Sequence, residues 1–361
     1  MAKKLMKGAE AIGEAAIWAG CRAYFAYPIT PQTEVAEYLA RRMPQVGGVF
    51  LQAESELAAS NMLFGASGAG ARVFTTSSSP GISLMSEAIS YIAAAELPTV
   101  FVNIIRSGPG LGGILPAQSD YFQATKGGGH GDYRMIVLAP STIQEAVDLM
   151  LNAFDMADIY RTPVMVLGDG LIGQMMEPVE FPENFEPVKT DKSPWVTDGC
   201  QGRDRHIIKT LFLDAHLCDK HNHNLARKYE EITAKEKRWE NWNLDNNPEI
   251  LLVSFGTMSR ICKTVIEDLE AEGIRVGMVR PVSLWPFPDE AVYKAATMDS
   301  VKAVLSVEMS MGQMVEDVRM AVQFKKPVEY FGRAGGVVPS PEEVAAKIRA
   351  MRDTYSKSRV A

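Results

Sequence analysis

The stretch FLQAESELAASNMLFGASGAGARVFTTSSSPGISLMSE, Phe50 to Glu87, decides how the rest of the chain is read. It runs strand, helix, strand, hydroxyl-rich turn, helix. Two carboxylates, Glu54 and Glu56, stand where the first strand gives way to the first helix. That helix is built largely of small residues, among them Ala58, Ala59, Ser60, Gly65, Ala66, Ser67 and Gly68. So little side-chain bulk lets a second backbone or a flat ligand approach closely. The following turn, Thr75-Thr76-Ser77-Ser78-Ser79-Pro80-Gly81, opens a helix and is dense in hydroxyls and backbone N–H donors, which suits it to an anionic or polar group. The same pattern is read equally well as two ordinary strand–helix joints with capping residues.

Towards the N-terminus, apolar spacing predicts a helix over Lys7–Ala19, closed by Gly20, and a strand over Ala23–Tyr27. The turn Pro28-Ile29-Thr30-Pro31-Gln32-Thr33-Glu34 follows. Pro31 suits the first position of the next helix, which makes Thr30 its N-cap at the carboxyl end of a strand. In an open parallel sheet that edge is where ligands bind. Towards the C-terminus, the strand Pro98–Ile105 exits at Arg106, whose guanidinium can grip a carboxylate through two parallel hydrogen bonds. The glycines of RSGPGLGG that follow do not form a dinucleotide fingerprint, because Pro109 sits in the middle and no helix follows at the right distance. A helix over Ala117–Thr125, a strand over Met135–Leu138, a helix over Pro140–Ala157 capped by Ser141, and a strand over Pro163–Leu167 complete the alternation. Such a pattern indicates a doubly wound α/β parallel sheet with helices on both faces.

After Gln174 the chain turns proline-rich and charged. ARKYEEITAKEKRWENW reads as a solvated helix packing its aromatic side on a neighbour. A second α/β unit starts at Glu249: strands over Ile250–Phe255, Val276–Val279, Val301–Glu308 and Val328–Phe331, helices to Ala271 and over Asp289–Ala296 and Met311–Val322, and a last helix opened by Ser340-Pro341-Glu342-Glu343. The expected organisation is therefore residues 1–178, a connector over 179–247, and a second domain over 248–361.

The chain has 361 residues, 47% of them apolar and 22% charged, enough for a sizeable core. A net charge of -7 argues against a nucleic-acid partner. MAKKLMKGAEAIGEAA lacks the continuous apolar region of a signal peptide, and no apolar run is long enough to span a bilayer, so no membrane association and a cytoplasmic location are expected. None of Cys21, Cys200, Cys218 and Cys262 forms a CxxC pair, which disfavours an iron–sulfur cluster held by this chain alone. Cys200, Cys218, His206, His216, His221 and His223 cluster in sequence at spacings that match no familiar metal site.

With Thr30, Glu56 and Arg106 all at strand ends, the chain resembles the alpha subunit of 2-oxoacid:ferredoxin oxidoreductases, and among them the 3-methyl-2-oxobutanoate (2-oxoisovalerate) type. AYPITPQTE at 26–34, ESELAASNMLFGASGAGAR at 54–72, TTSSSPGISLM at 75–85 and EMSMGQMVEDVR at 308–319 carry the resemblance, which covers nearly the whole chain. It implies a thiamine diphosphate-binding domain of the pyrimidine type followed by a transketolase C-terminal-like domain. It implies oxidative decarboxylation of a 2-oxoacid to acyl-CoA and carbon dioxide, with electrons passed to ferredoxin; 2-oxoglutarate or another 2-oxoacid is the alternative substrate. Partner subunits are implied too: a beta subunit carrying Mg2+, the diphosphate site and an iron–sulfur cluster, with gamma and ferredoxin-like delta subunits.

By the same resemblance, Glu56, nine positions before Gly65, is the glutamate that hydrogen-bonds the pyrimidine and drives deprotonation of the thiazolium carbon. Glu54 fits that pattern less well. Thr30 matches the threonine near the substrate carbonyl, Arg106 resembles the arginine that binds the 2-oxoacid carboxylate, and Ser78 and Ser79 lie in the turn facing the cofactor. Gly168-Asp169-Gly170 resembles the start of a magnesium–diphosphate motif, but the Lys192–Asp198 region has no asparagine to complete it, so it reads as a strand-end turn. Two other readings compete. A nicotinamide dehydrogenase would need a glycine fingerprint where Tyr27-Pro28-Ile29-Thr30-Pro31 stands. A non-catalytic assembly subunit would not depend on Glu56.

Overall fold

The computed structural model describes residues 3–357. In chain order its first half comprises β1 (Lys4–Lys7), α1 (Gly8–Trp18), β2 (Ala23–Ala26), α2 (Thr33–Gln45), β3 (Val49–Gln52), α3 (Glu56–Gly68), β4 (Val73–Ser77), α4 (Ser79–Ala94), β5 (Thr99–Ile105), α5 (Tyr121–Thr125), β6 (Ile136–Leu138), α6 (Ile143–Tyr160), β7 (Pro163–Asp169), α7 (Gly170–Gln174) and β8 (Met176–Val179). The second half adds α8 (Ala215–Lys235), β9 (Trp239–Trp242), β10 (Ile250–Val253), α9 (Gly256–Ala271), β11 (Val276–Pro281), β12 (Ser283–Trp285), α10 (Asp289–Ala296), β13 (Ala303–Glu308), α11 (Met314–Val322), β14 (Val328–Gly332) and α12 (Pro341–Lys357).

A seven-stranded sheet has the order β12-β6-β7-β5-β4-β2-β3 and is parallel except for β12 at its edge. A five-stranded sheet, β14-β13-β10-β11-β9, is parallel except for β9. The pair β1-β8 is antiparallel. β5 and β7 are buried along their whole length, as strands covered on both faces must be. Their residues alternate between two cores: Val100, Val102 and Ile104 pack with α1, α2 and α6, whereas Phe101 and Ile105 pack with α3 and α4. The second of these cores runs on without a break into Leu251, Val253, Val304 and Val318, so the two sheets share it.

The chain passes from β2 out to the edge at β3 and then returns to the other side of β2 as β4. That reversal opens a crevice at the carboxyl ends of β2 and β4. Thr30 follows β2, Glu56 follows β3, Ser78 and Ser79 follow β4, and Arg106 follows β5, so all five predicted site residues gather at this one edge.

Four local expectations change. The helix read over ARKYEEITAKEKRWENW ends at Lys235, and Trp239–Trp242 forms β9 against β11 instead. Thr30 is not the N-cap of α2: the turn Ile29–Gln32 closes first, with Gln32 N–H donating to Ile29 O at 3.0 Å, and Gln32 takes the cap position. α6 is capped by Thr142 rather than Ser141; the Thr142 hydroxyl accepts from Glu145 N at 3.1 Å, and the Glu145 carboxylate reaches back to Ser141 N at 2.7 Å, a reciprocal capping pair. The helix expected over Ala117–Thr125 is confined to Tyr121–Thr125, because Gln118 pairs instead with the second domain, donating its backbone N–H to Met309 O at 2.8 Å and accepting from Met309 N at 2.9 Å.

Candidate active site

Glu56 is the first residue of α3. Ser55 caps that helix, accepting from Ala58 N at 3.1 Å, and this leaves the Glu56 side chain free to point away from its own backbone. It leans across to the first turn of α4. A Cβ placed on Gly81 would lie 2.7 Å from Glu56 Oε1 and 2.1 Å from Ser77 Oγ, so glycine is what admits the carboxylate there. Glu56 is only 5% exposed, yet no donor or cation among the described residues reaches its carboxylate. Ser77 Oγ, which faces the same point of α4, is buried without a hydrogen-bond partner, as are the hydroxyls of Thr75 and Ser78 at the end of β4. Buried polar groups are ordinarily paired, so orphan hydroxyls along the strand end that faces Glu56 suit a polar ligand.

Arg106 lies on the far side of the same turn. Ser79 Oγ donates to Arg106 O at 3.2 Å and accepts from Arg106 N at 3.1 Å. The guanidinium joins two loops, donating through Nη1 to Thr30 O and through Nη2 to Leu111 O, each at 3.1 Å. Arg106 is 6% exposed, its Nε has no partner, and no carboxylate among the described residues pairs with it. A buried cation without a counter-ion is costly and calls for an anion. Thr30 itself is exposed at the crevice mouth. Its loop is pinned from below by fully buried Gln32, which accepts from Thr76 Oγ1 and donates to Tyr27 O at 3.2 Å.

Asp169 stands apart from this group. The strand runs through it, and its carboxylate caps α7, accepting from Leu171 N at 2.9 Å and Ile172 N at 3.4 Å; Thr257 Oγ1 donates to the other oxygen. Burial pushes its carboxyl above the ordinary range. Glu308, the carboxylate that ends β13, is also fully engaged: Ser306 Oγ, Ser310 Oγ, Gln313 N, Met314 N and Val315 N all donate to it within 3.0 Å. It is the N-terminal anchor of α11. Sequence reasoning missed Asn103 and Asp120, which lie behind Ser79: Ser79 N donates to Asn103 Oδ1 at 3.2 Å, and Asn103 Nδ2 donates to Asp120 Oδ2 at 2.9 Å. An asparagine inside the apolar strand TVFVNII was the available signal; for Asp120 there was none.

Among the described residues no helix is long and apolar enough to cross a membrane, and no group of three or more His, Cys, Asp or Glu is placed to hold a metal. His206 and His221, from the connector cluster, contact the backbone carbonyls of Val196 and Ala94 at 2.8 Å.

Residues 14–236 match the family described as pyruvate flavodoxin/ferredoxin oxidoreductase, thiamine diphosphate-binding, and residues 248–344 match pyruvate:ferredoxin oxidoreductase core domain II. The fold is thus that of a thiamine diphosphate-binding domain joined to a transketolase C-terminal-like domain. A solved split-gene transketolase shares it, with a TM-score of 0.59 at 14% identity. The ketoisovalerate oxidoreductase subunit VorB of Methanothermobacter thermautotrophicus is 46% identical over 97% of this chain and 98% of its own length. The 2-oxoglutarate synthase subunit KorA of Methanocaldococcus jannaschii is 35% identical over 95% of this chain and 98% of its own. A solved 2-oxoglutarate:ferredoxin oxidoreductase from Magnetococcus marinus, with 2-oxoglutarate, coenzyme A and succinyl-CoA bound, superposes with a TM-score of 0.85 at 26% identity, covering 96% of this chain and 65% of the solved one. The chain belongs to the 2-oxoacid:ferredoxin oxidoreductase family, as one of its subunits.

Proposed function

We propose that this chain contributes the pyrimidine-facing half of the active site in an oxidoreductase that converts 3-methyl-2-oxobutanoate to its acyl-CoA and carbon dioxide. Thiamine diphosphate, when bound, supplies the carbanion-stabilising chemistry of decarboxylation. Glu56 is the catalytic residue: its carboxylate holds and returns the proton at the pyrimidine edge. The orphan hydroxyls of Ser77 and Ser78, with the Ser79 turn, line the cradle that Gly81 keeps open. Arg106 binds the substrate carboxylate and orients the keto carbon, and Thr30 closes the crevice beside it. The observation that carries this reading is Arg106, a guanidinium 6% exposed with an unpartnered Nε and no carboxylate beside it among the described residues.

A branched aliphatic substrate is favoured by the loop that Arg106 closes. Leu111, Ile114 and Leu115 are its large side chains, all exposed, and residues 107–116 include no cation to pair with the second carboxylate of 2-oxoglutarate. The VorB relatives, at 46% and 45% identity against 34–36% for the KorA subunits, support the same choice. Mg2+, the diphosphate contacts and an iron–sulfur cluster belong in this reading to a beta subunit, with gamma and delta subunits, ferredoxin and coenzyme A completing a cytoplasmic complex. Its division of labour is residues 1–178 for the cofactor, 179–247 as connector and 248–361 as the second domain.

The test is the co-expressed complex, assayed by reduction of a low-potential acceptor with several 2-oxoacids. Glu56→Gln keeps the side-chain shape and removes the proton carrier, so turnover should fall by about 10²–10⁴-fold with assembly intact. Wild-type-like turnover by Glu56→Gln refutes the role of Glu56, and a higher kcat/KM for 2-oxoglutarate refutes the substrate.

A further inference from the structure

We propose that Asp120 and Asn103 are positioning residues for substrate binding, acting through Ser79 on Arg106, and that Gln313 of the second domain holds Asp120 in place. This rests on the reading that Arg106 takes the substrate carboxylate. Asn103 is fully buried in a strand otherwise made of apolar residues and Thr99. A buried amide there is costly unless both its ends are satisfied. Its oxygen accepts from Ser79 N and its nitrogen donates to Asp120 Oδ2. Ser79 is thereby fixed at its backbone while its hydroxyl brackets both the N–H and the C=O of Arg106. The peptide that aims the guanidinium is set by this bracket, and the bracket is set by Asn103.

Asp120 occupies the N-cap position of α5 but makes no capping bond. Its carboxylate turns inward to Asn103 instead, without a cation partner among the described residues. Burial holds its carboxyl above the ordinary range, with Ser79 and Asn103 opposing that shift. Gln313 clamps the chain on either side of it, donating through Nε2 to Ser119 O at 2.7 Å and accepting from Phe122 N at 2.8 Å. Gln313 is in turn held at its backbone N–H by Glu308, at 2.9 Å. A path of hydrogen bonds, joined through the backbone of residues 119–122, therefore leads from the second domain to Arg106. It gives the motif EMSMGQM a purpose beyond packing.

The experiment measures KM for 3-methyl-2-oxobutanoate and kcat separately in the assembled complex. Partial misfolding lowers apparent kcat and leaves KM where it was, so KM isolates positioning from mere structural damage. Asp120→Ala removes one acceptor and should raise KM about tenfold, the worth of one hydrogen bond, with kcat at saturation falling less than about threefold. Asp120→Asn keeps an acceptor for Asn103 and should restore KM to within about threefold of wild type. Arg106→Lys should raise KM, and adding Asp120→Ala to it should raise KM no more than about twofold further, because both act at one point. If Asp120→Ala does not assemble, Gln313→Glu, which loses the bond to Ser119 O, carries the same expectation of a raised KM. An unchanged KM in Asp120→Ala or Gln313→Glu, equal losses in the alanine and asparagine variants, or additive effects with Arg106→Lys overturns the proposal while leaving Arg106 its role. An unchanged KM in Arg106→Lys overturns the reading of Arg106 itself.

Discussion

Substituting alanine for Gly81 puts a methyl group where the structure has no room for it. The new Cβ would lie 2.1 Å from Ser77 Oγ, 2.7 Å from Glu56 Oε1 and 3.0 Å from Glu56 Cγ. Ordinary contact begins near 3.4 Å, so Glu56 Oε1 must withdraw by about 0.7 Å and Ser77 Oγ must rotate away. The two closest atoms are ends of side chains that make no hydrogen bond among the described residues, so relief is cheap. The cost in stability should be about 1–2 kcal/mol, the low end for overpacking. The cost in turnover is set by a different quantity. A proton-transferring group must stand within hydrogen-bond reach of its partner, and a misplacement of about 1 Å costs on the order of 10²-fold. Gly81→Ala should therefore lose about 100-fold in kcat while the thermal midpoint of the assembled complex moves by only a few degrees. Adding Ser77→Ala removes the 2.1 Å clash but not the one with Glu56, so it should recover stability and not turnover. The assay is acceptor reduction at saturating 2-oxoacid beside a thermal melt of the same preparation. Turnover of Gly81→Ala within about threefold of wild type would show that the position of Glu56 against α4 is immaterial, and the proton role would fall with it.

Glu308 and Asp169, two of the other buried carboxylates, give two further outcomes. Glu308→Gln replaces an acceptor of five donors by an amide that must turn an N–H₂ towards some of them, and should destabilise the second domain by about 3 kcal/mol, read as a lowered denaturation midpoint. For Asp169 the sign is set by the raised carboxyl: burial disfavours the charged form, so its contribution to stability declines as pH rises from the ordinary carboxylate value through the folded value. Asp169→Asn removes that decline. The difference in thermal midpoint between variant and wild type should shift in the variant's favour from pH 4 to pH 7, and a difference that is flat with pH would refute the assignment.

The order of strands and helices was legible because buried parallel strands are short apolar runs punctuated by turn residues, and β5, β7, β10 and β13 have that form. The strands that escaped notice are β1, β8, β9 and β12. Each is short; β1, β8 and β9 are partly exposed, and β9 and β12 pair antiparallel at sheet edges, where pairing is decided by tertiary contact rather than composition. β12 illustrates the limit best, since its three residues leave the second half of the chain to complete the first sheet. The strand-end rule was enough to bring Thr30, Glu56, Ser78, Ser79 and Arg106 to one edge. It could not reveal Asn103 and Asp120, which are separated by 17 residues and matter only because β5 and the start of α5 meet behind Ser79.

The buried carboxylates of this one chain fall into two kinds. Among the described residues five carboxylates are buried, and of these Asp158 is paired with Arg72 and Lys192, and Asp317 with Lys126 and Tyr121. Glu308 has five donors within 3.0 Å, and Asp169 has both oxygens engaged by α7 and Thr257. These two show that the fold satisfies a buried carboxylate wherever the carboxylate serves the fold. Glu56 has no such donor among the described residues; Ser77 Oγ near it and Ser78 Oγ next along the chain are orphaned, as is Nε of Arg106, which follows β5 and is bonded to Ser79. Bare polar groups scattered singly would each be a small defect of packing. Gathered at a topological switch point, an acid without a donor, orphan hydroxyls and a guanidinium without a counter-ion suit ligands that offer a basic ring edge at one end and a carboxylate at the other. In the function proposed for this chain, a cofactor bearing a pyrimidine and a substrate bearing a 2-oxoacid group together supply that pattern, Glu56 answering the first and Arg106 the second.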